Sequence, residues 1–320
     1  MARLYIVTPA RPGARTGNLH TAQRWARLLR GGGHRVEVGT TWSGQPCDAL
    51  IALHARRSHE AVLAWRRARP SGGLAVVLTG TDLYKDLPSS KQAWTSLELA
   101  DRIVVLQDHA PTLLPARLRR KTDVVFQSAT ARLRPSPPAH RYRVCVVGHL
   151  REEKDPFRAA AALASLPATV PVELVQVGGA LSPAMEAQAR QWVARDRRYR
   201  WTGSVTHARA LRWMASSHLL VVSSLMDGGA NVISEAARIG TPVLASRMSG
   251  NLGMLGRRYP GFYPVGYEKA LSLLLRRAAT DPDWRRELAL ALRARRPLFA
   301  PSAERRSLLG VVNRLTSGVR

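Results

Sequence analysis

The chain has 320 residues, 45% hydrophobic and 22% charged, enough for about two ordinary domains. It has no run of about 20 apolar residues to cross a membrane, and its two distant cysteines, Cys47 and Cys145, exclude a disulfide scaffold and a cysteine metal cage. The formal net charge is +27, yet residues 1–138 carry 21 basic against 9 acidic groups and residues 139–320 carry 28 against 13. An excess spread so evenly, 44 of 49 basic residues being Arg, fits solvated helix faces and speaks against nucleic-acid binding, for which no helix-turn-helix or RNA-recognition motif is present. The N-terminal residues lack the charged start, apolar stretch and cleavage site of a signal peptide, so a cytoplasmic location is expected.

In chain order, residues 4–8 read as a first strand. Further strands are expected at 36–40, 49–53, 74–79, 103–106 and 124–127. Helical patterns lie between them, such as 19–30, with Ala22, Trp25, Ala26 and Leu29 on one face before three glycines. Pro135, Pro137 and Pro138 interrupt the pattern within 131–141, which reads as a linker. A second series follows at 144–147, 172–177, 219–223 and 242–246; residues 190–200 read as a surface helix, and 304–315 as a last helix after a break at Pro297 and Pro301. Strands alternating with helices imply parallel sheets covered on both faces. The expected architecture is α/β, two Rossmann-like domains over 1–134 and 135–298. Residues 299–320 are expected to cross back to the first domain. Ligands in such sheets bind at the carboxyl ends of the strands, so facing domains would bind across one cleft.

Two stretches carry chemistry in the second half. Gly228-Gly229-Ala230-Asn231-Val232 follows a strand and opens a helix, which offers free N–H groups and a dipole to an anion. Glu235, about one turn into that helix, suits the two hydroxyls of a ribose, and Asp227 suits a sugar hydroxyl; a helix cap with a surface pair explains the same residues. Upstream, strand 144–147 ends in Gly148-His149-Leu150-Arg151-Glu152-Glu153-Lys154-Asp155-Pro156, a basic cluster near the same strand ends.

Together these stretches resemble the retaining-type GT-B glycosyltransferases of family 4, whose signatures are Gly-Arg-Leu-x-x-x-Lys and Glu-x7-Glu. The resemblance implies that Lys154 neutralises the donor's diphosphate, that Glu235 binds ribose, that Asp227 stands for the first glutamate, and that His149 replaces the usual arginine, with Arg151 as substitute. Gly178-Gly179 and Thr202-Gly203-Ser204 match loops around the nucleotide base. In the first half, the loop from Thr8 to Asn18, with Arg15, Gly17 and Asn18, resembles the loop that closes over the donor. The turns holding His54, Arg56, Arg57 and Thr81, Asp82 leave strands three and four, and Thr21 lies in the first helix.

Five segments, 52–58, 78–84, 148–156, 228–236 and 245–251, together are similar to the selenosugar synthase family of selenoneine biosynthesis. That resemblance implies attack of selenophosphate selenium on the anomeric carbon of a UDP-sugar, typically UDP-N-acetylglucosamine, with release of UDP and phosphate. The β-linked product it implies requires inversion, whereas the wider family contains retaining enzymes. Selenophosphate asks for guanidinium partners, for which Arg15, Arg24, Arg56 and Arg57 are candidates; Arg56-Arg57 is equally explained as a solvated helix start. An alcohol acceptor asks for a base, for which Asp82, His54 or His20 are candidates. Leaving-group charge would fall to Lys154, Arg151 and the N–H groups of 229–232. No cofactor is expected and no metal ligand set appears, so metal independence is expected. Expected partners are small-molecule substrates, without nucleic acid or stable membrane insertion. The resemblance also implies functional coupling to a selenophosphate synthetase and a selenoneine-forming enzyme. The competing reading is a conventional GT-B glycosyltransferase with an oxygen acceptor.

Overall fold

The computed structural model describes residues 1–9 and 17–317. The chain divides into two compact units, Met1–Gln127 with Pro301–Arg320, and Ser128–Ala300.

The first unit is built on six parallel strands, β1 (Arg3–Val7), β2 (Arg35–Gly39), β3 (Ala49–Leu53), β4 (Gly73–Leu78), β5 (Arg102–Val105) and β6 (Thr122–Val124), in the order β2-β1-β3-β4-β5-β6. β3 and β4 are buried along their whole length, which explains their unbroken apolar runs: both sheet faces are covered. One face packs Trp25 and Leu29 of helix Gly17–Arg30 against Val311, Val312 and Leu315 of the terminal helix Pro301–Thr316. The other packs Val62 and Trp65 of helix His59–Ala68 and Leu97 of helix Lys91–Leu99. Buried Glu304 ties the terminal helix down, accepting from Trp25 Nε1 at 2.8 Å and Arg24 Nε at 3.2 Å. Arg24, considered above as an anion partner, is turned to this internal carboxylate.

The second unit carries β7 (Tyr142–Val147), β8 (Val172–Val177), β9 (Tyr199–Trp201), β10 (Leu219–Val222), β11 (Val243–Ser246) and β12 (Phe262–Tyr263), all parallel, in the order β12-β11-β10-β7-β8-β9. β9 and β12 have three and two residues, too few for a periodic signal. The stretch 190–200 is not one helix. The helix Pro183–Arg195 stops because Asp196 accepts from the Arg198 N–H at 2.9 Å and from its guanidinium at 2.8 Å, making a turn into β9. The proline-rich stretch also belongs to this unit. The Ser136 N–H donates to Ala215 O at 2.7 Å, the Ala129 N–H donates to Phe299 O at 3.2 Å, and the Pro135 ring lies beside Gly240. The units therefore divide between Gln127 and Ser128, not at 134/135.

Strand order reverses between β1 and β3 in the first sheet and between β7 and β10 in the second. In open α/β sheets the crevice at the carboxyl ends beside such a reversal is where ligands bind.

Candidate functional site

The β7/β10 reversal brings the two motifs of the second half together. Gly148 follows β7, and a Cβ on Gly178, just after β8, would lie 2.0 Å from Gly148 O; Gly178 also has φ +145°. Only glycine permits this backbone approach. After Gly148 the chain passes Arg151, makes a short 3-10 turn Glu152–Lys154 and leaves it through Asp155 in the left-handed region. That turn is fastened to the strand end opposite. Ser223 Oγ lies 3.0 Å and 2.7 Å from the carbonyls of Lys154 and Asp155, and the Leu225 N–H donates to Glu153 O at 2.9 Å. Lys154 Nζ pairs with Asp227 Oδ2, while Asp227 Oδ1 accepts from the Gly229 N–H at 3.2 Å. A small depression open to solvent at this point is lined by Gly148, His149, Lys154, Gln176, Ser223 and Val232, among others.

Residues 245–251 buttress the loop from beneath. Ser246 Oγ donates to Ser224 O at 2.6 Å, Asn251 Nδ2 donates to Ser246 O at 2.9 Å, and a Cβ on Gly250 would lie 2.0 Å from Asp227 O. Sequence similarity flagged this stretch without giving its job; its residues hold the loop that carries Asp227.

Helix Asn231–Ile239 begins at Ala230, which has no side-chain acceptor, and has no acidic residue in its first turn. Its positive end is therefore uncompensated by the helix itself, a setting for an anion beside Lys154. Glu235 lies one turn in, and its Oε1 is 2.7 Å from His207 Nε2. That bond holds the His207 imidazole above the ordinary histidine range. Nothing in the sequence singled out His207; it is the first residue of helix His207–Ala215, just after the turn at Gly203. His149 and Arg151 are exposed; Arg151 meets Lys154 through its backbone, its carbonyl accepting from the Lys154 N–H at 3.0 Å.

The expected residues of the first unit differ in what they touch. Arg15 lies outside the described residues. Gly17 and Asn18 open the first helix. Thr21, expected to meet the acceptor, is buried; it donates to Gly17 O at 2.9 Å and accepts from Gln127 Nε2 at 2.6 Å, an internal tie. Asp82 requires the larger correction. It is wholly buried. Its Oδ1 accepts from the N–H groups of Thr79, Gly80 and Leu83 at 2.9, 2.8 and 3.1 Å, and its Oδ2 from Ala55 at 3.0 Å. The carboxylate knots the turns after β3 and β4. Burial pushes this carboxyl up, while His54 and the N–H donors favour the charged form. Four N–H donors surround it, and His54 Nδ1 lies 4.0 Å from Oδ2.

His54 is also buried, at φ +75°, and burial pushes its imidazole below the ordinary range. Its Nδ1 accepts from the Arg57 N–H at 3.4 Å and its Nε2 lies 3.1 Å from Thr81 Oγ1. His54 thus sits within the protein beside Thr81 and Arg57 rather than at a surface. Arg56 is 43% exposed at its side chain, with Nε 2.9 Å from Asp86 Oδ2. Arg57 is exposed next to it. Asp86 was not foreseen as a site neighbour. Among the described residues no group of three or more His, Cys, Asp or Glu is arranged to hold a metal ion, and no helix is long and apolar enough to cross a membrane.

The family model of Glycosyl transferases group 1 matches residues 127–295, nearly the whole second unit and every element of the site just described there. The chain belongs to this family. Within the matched stretch it carries Lys154 on the turn after β7 and Glu235 on the helix after β10. Its fold is GT-B, shared with solved glycosyltransferases at low identity. HepE of Anabaena in complex with UDP is 17% identical, with 98% of this chain and 100% of that chain covered and a TM-score of 0.78. Sucrose-phosphate synthase of Thermosynechococcus elongatus is 18% identical, with coverage of 98% and 99% and a TM-score of 0.77. A glycosyltransferase of Rickettsia africae is 13% identical, with coverage of 98% and 98% and a TM-score of 0.75.

Proposed function

We propose that the chain is a selenosugar synthase that transfers a sugar, N-acetylglucosamine by preference, from its UDP donor to the selenium of selenophosphate. The donor half of this reading draws on the second unit. Lys154 and the N–H groups at Gly229–Val232 receive the diphosphate, Asp227 the sugar and Glu235 the ribose; HepE, with the same fold, has been solved with UDP bound. A diphosphate at Lys154 competes with Asp227 for the ammonium, so donor binding loosens that pair and frees Asp227 for a sugar hydroxyl.

The observation that carries the acceptor half is the state of Asp82 and His54. Two of the three candidate bases are buried, one of them saturated by four N–H donors. A hydroxyl acceptor needs a group to take its proton; the selenium of selenophosphate is already anionic. What selenophosphate needs is cationic partners for its oxygens, and Arg56 and Arg57 are exposed on the turn after β3. Selenium attacks the anomeric carbon, the bond from that carbon to the diphosphate oxygen breaks, and UDP leaves with the electron pair. Water then cleaves the phosphorus–selenium bond, giving phosphate and the 1-selenosugar. Incubation with UDP-N-acetylglucosamine and selenophosphate should yield a selenium-containing sugar by mass spectrometry. Turnover with alcohol acceptors and none with selenophosphate would return the chain to the oxygen-transferring majority of its family. The neighbouring enzymes this reading calls for are one that makes selenophosphate and one that consumes the selenosugar.

A further inference from the structure

Resting on the reading of Glu235 as the ribose carboxylate, we propose that His207 is a nucleoside-positioning residue: it fixes the plane of that carboxylate and couples it to the turn at Gly203. Three observations support this. First, Glu235 Oε1 is held at 2.7 Å by His207 Nε2, while Oε2 has no partner among the described residues. A carboxylate can accept a ribose diol through both oxygens only if its plane is set, and one bond at Oε1 sets it without filling the remaining acceptor sites. Second, the backbone that carries His207 is fixed. His207 starts a helix whose cap, Thr206 Oγ1, accepts from the Arg209 N–H at 3.3 Å. The turn before it is tied to the end of β8 by the Gly178 N–H donating to Gly203 O at 3.1 Å. Third, the His207 side chain is 72% exposed against 14% for Glu235. A hydrogen bond so open to solvent adds little to folding; its effect is on orientation.

The test uses the intact protein with UDP and 2′,3′-dideoxy-UDP in isothermal titration calorimetry. H207A should bind UDP about tenfold more weakly, the effect of losing one charge-assisted hydrogen bond's worth of order. Dideoxy-UDP, which lacks the hydroxyls, should be nearly unaffected, so the wild-type preference for UDP shrinks. H207Q, whose amide nitrogen reaches the same carboxylate, should restore it. Equal loss for both nucleotides, no loss for either, or failure of H207Q to rescue would overturn the inference while leaving the donor site standing. A wild type that binds no UDP would remove the donor reading itself, and the role of His207 with it.

Discussion

Asp82→Asn tests whether the buried carboxylate is a knot or a base. The substitution keeps shape and removes charge. Asn retains one acceptor oxygen for the N–H groups of Thr79, Gly80 and Leu83, but turns an NH2 toward the Ala55 N–H. Leaving one buried N–H unpaired costs about 1–3 kcal/mol. The three surviving bonds lose their charge assistance, roughly 1 kcal/mol each, and the relief of burying a neutral group offsets part of this. A net loss of about 3 kcal/mol is expected, which for a unit of this size lowers its melting temperature by about 6–12 °C. Hydrogen exchange gives the local readout: the amides of Ala55 and Gly80 should lose protection before those of β3 and β4. Turnover per folded molecule should change little. An unchanged melting temperature with turnover down by about 10²–10⁴, the range of a lost general base, would refute the reasoning and make Asp82 catalytic.

Lys154→Met should lower kcat by about 10²–10³, as for loss of a positioned charge at a leaving group, while Arg286→Gln, on an exposed surface pair, should leave steady-state rates unchanged. Gly250→Ala pushes a Cβ to 2.0 Å from Asp227 O and so displaces the Asp227 loop; titration calorimetry should show weakened UDP binding with β1–β6 protection intact. Burial pushes the Cys47 thiol up to about 11 and the Cys145 thiol up to about 12. Neither should therefore react with a disulfide reagent at pH 8 until the chain unfolds. Because the unfolded chain releases these thiol protons near pH 9 and the folded chain keeps them, stability should fall as pH rises above 9, with Cys47→Ser/Cys145→Ser flattening that slope in urea titrations.

The strands with long apolar runs were legible because burial on both faces writes itself into consecutive residues. β3, β4 and β8 appear within a residue of where their sequences put them. β9 and β12 were not, since three and two residues carry no period, and their place at the sheet edges comes from pairing with β8 and β11. The linker signal at Pro135–Pro138 marked a break in regular structure but not which unit the break belongs to; hydrogen bonds to Ala215 and Phe299 decide that.

The same division holds for the site. Sequence alone determined the α/β class and the two sheets, and it marked Asp227 and Glu235 as candidates, because a glycine turn opening a helix after an apolar strand is a local pattern, and Lys154 as a candidate in a basic cluster after a strand. It did not determine partners. That Lys154 meets Asp227, that Glu235 meets His207, and that Asp82 reaches the Ala55 N–H depends on which strand ends lie side by side. Such pairings join residues 27 to 73 positions apart. A hydrogen bond acts over about 3 Å, so only the folded sheet order brings its two ends within reach.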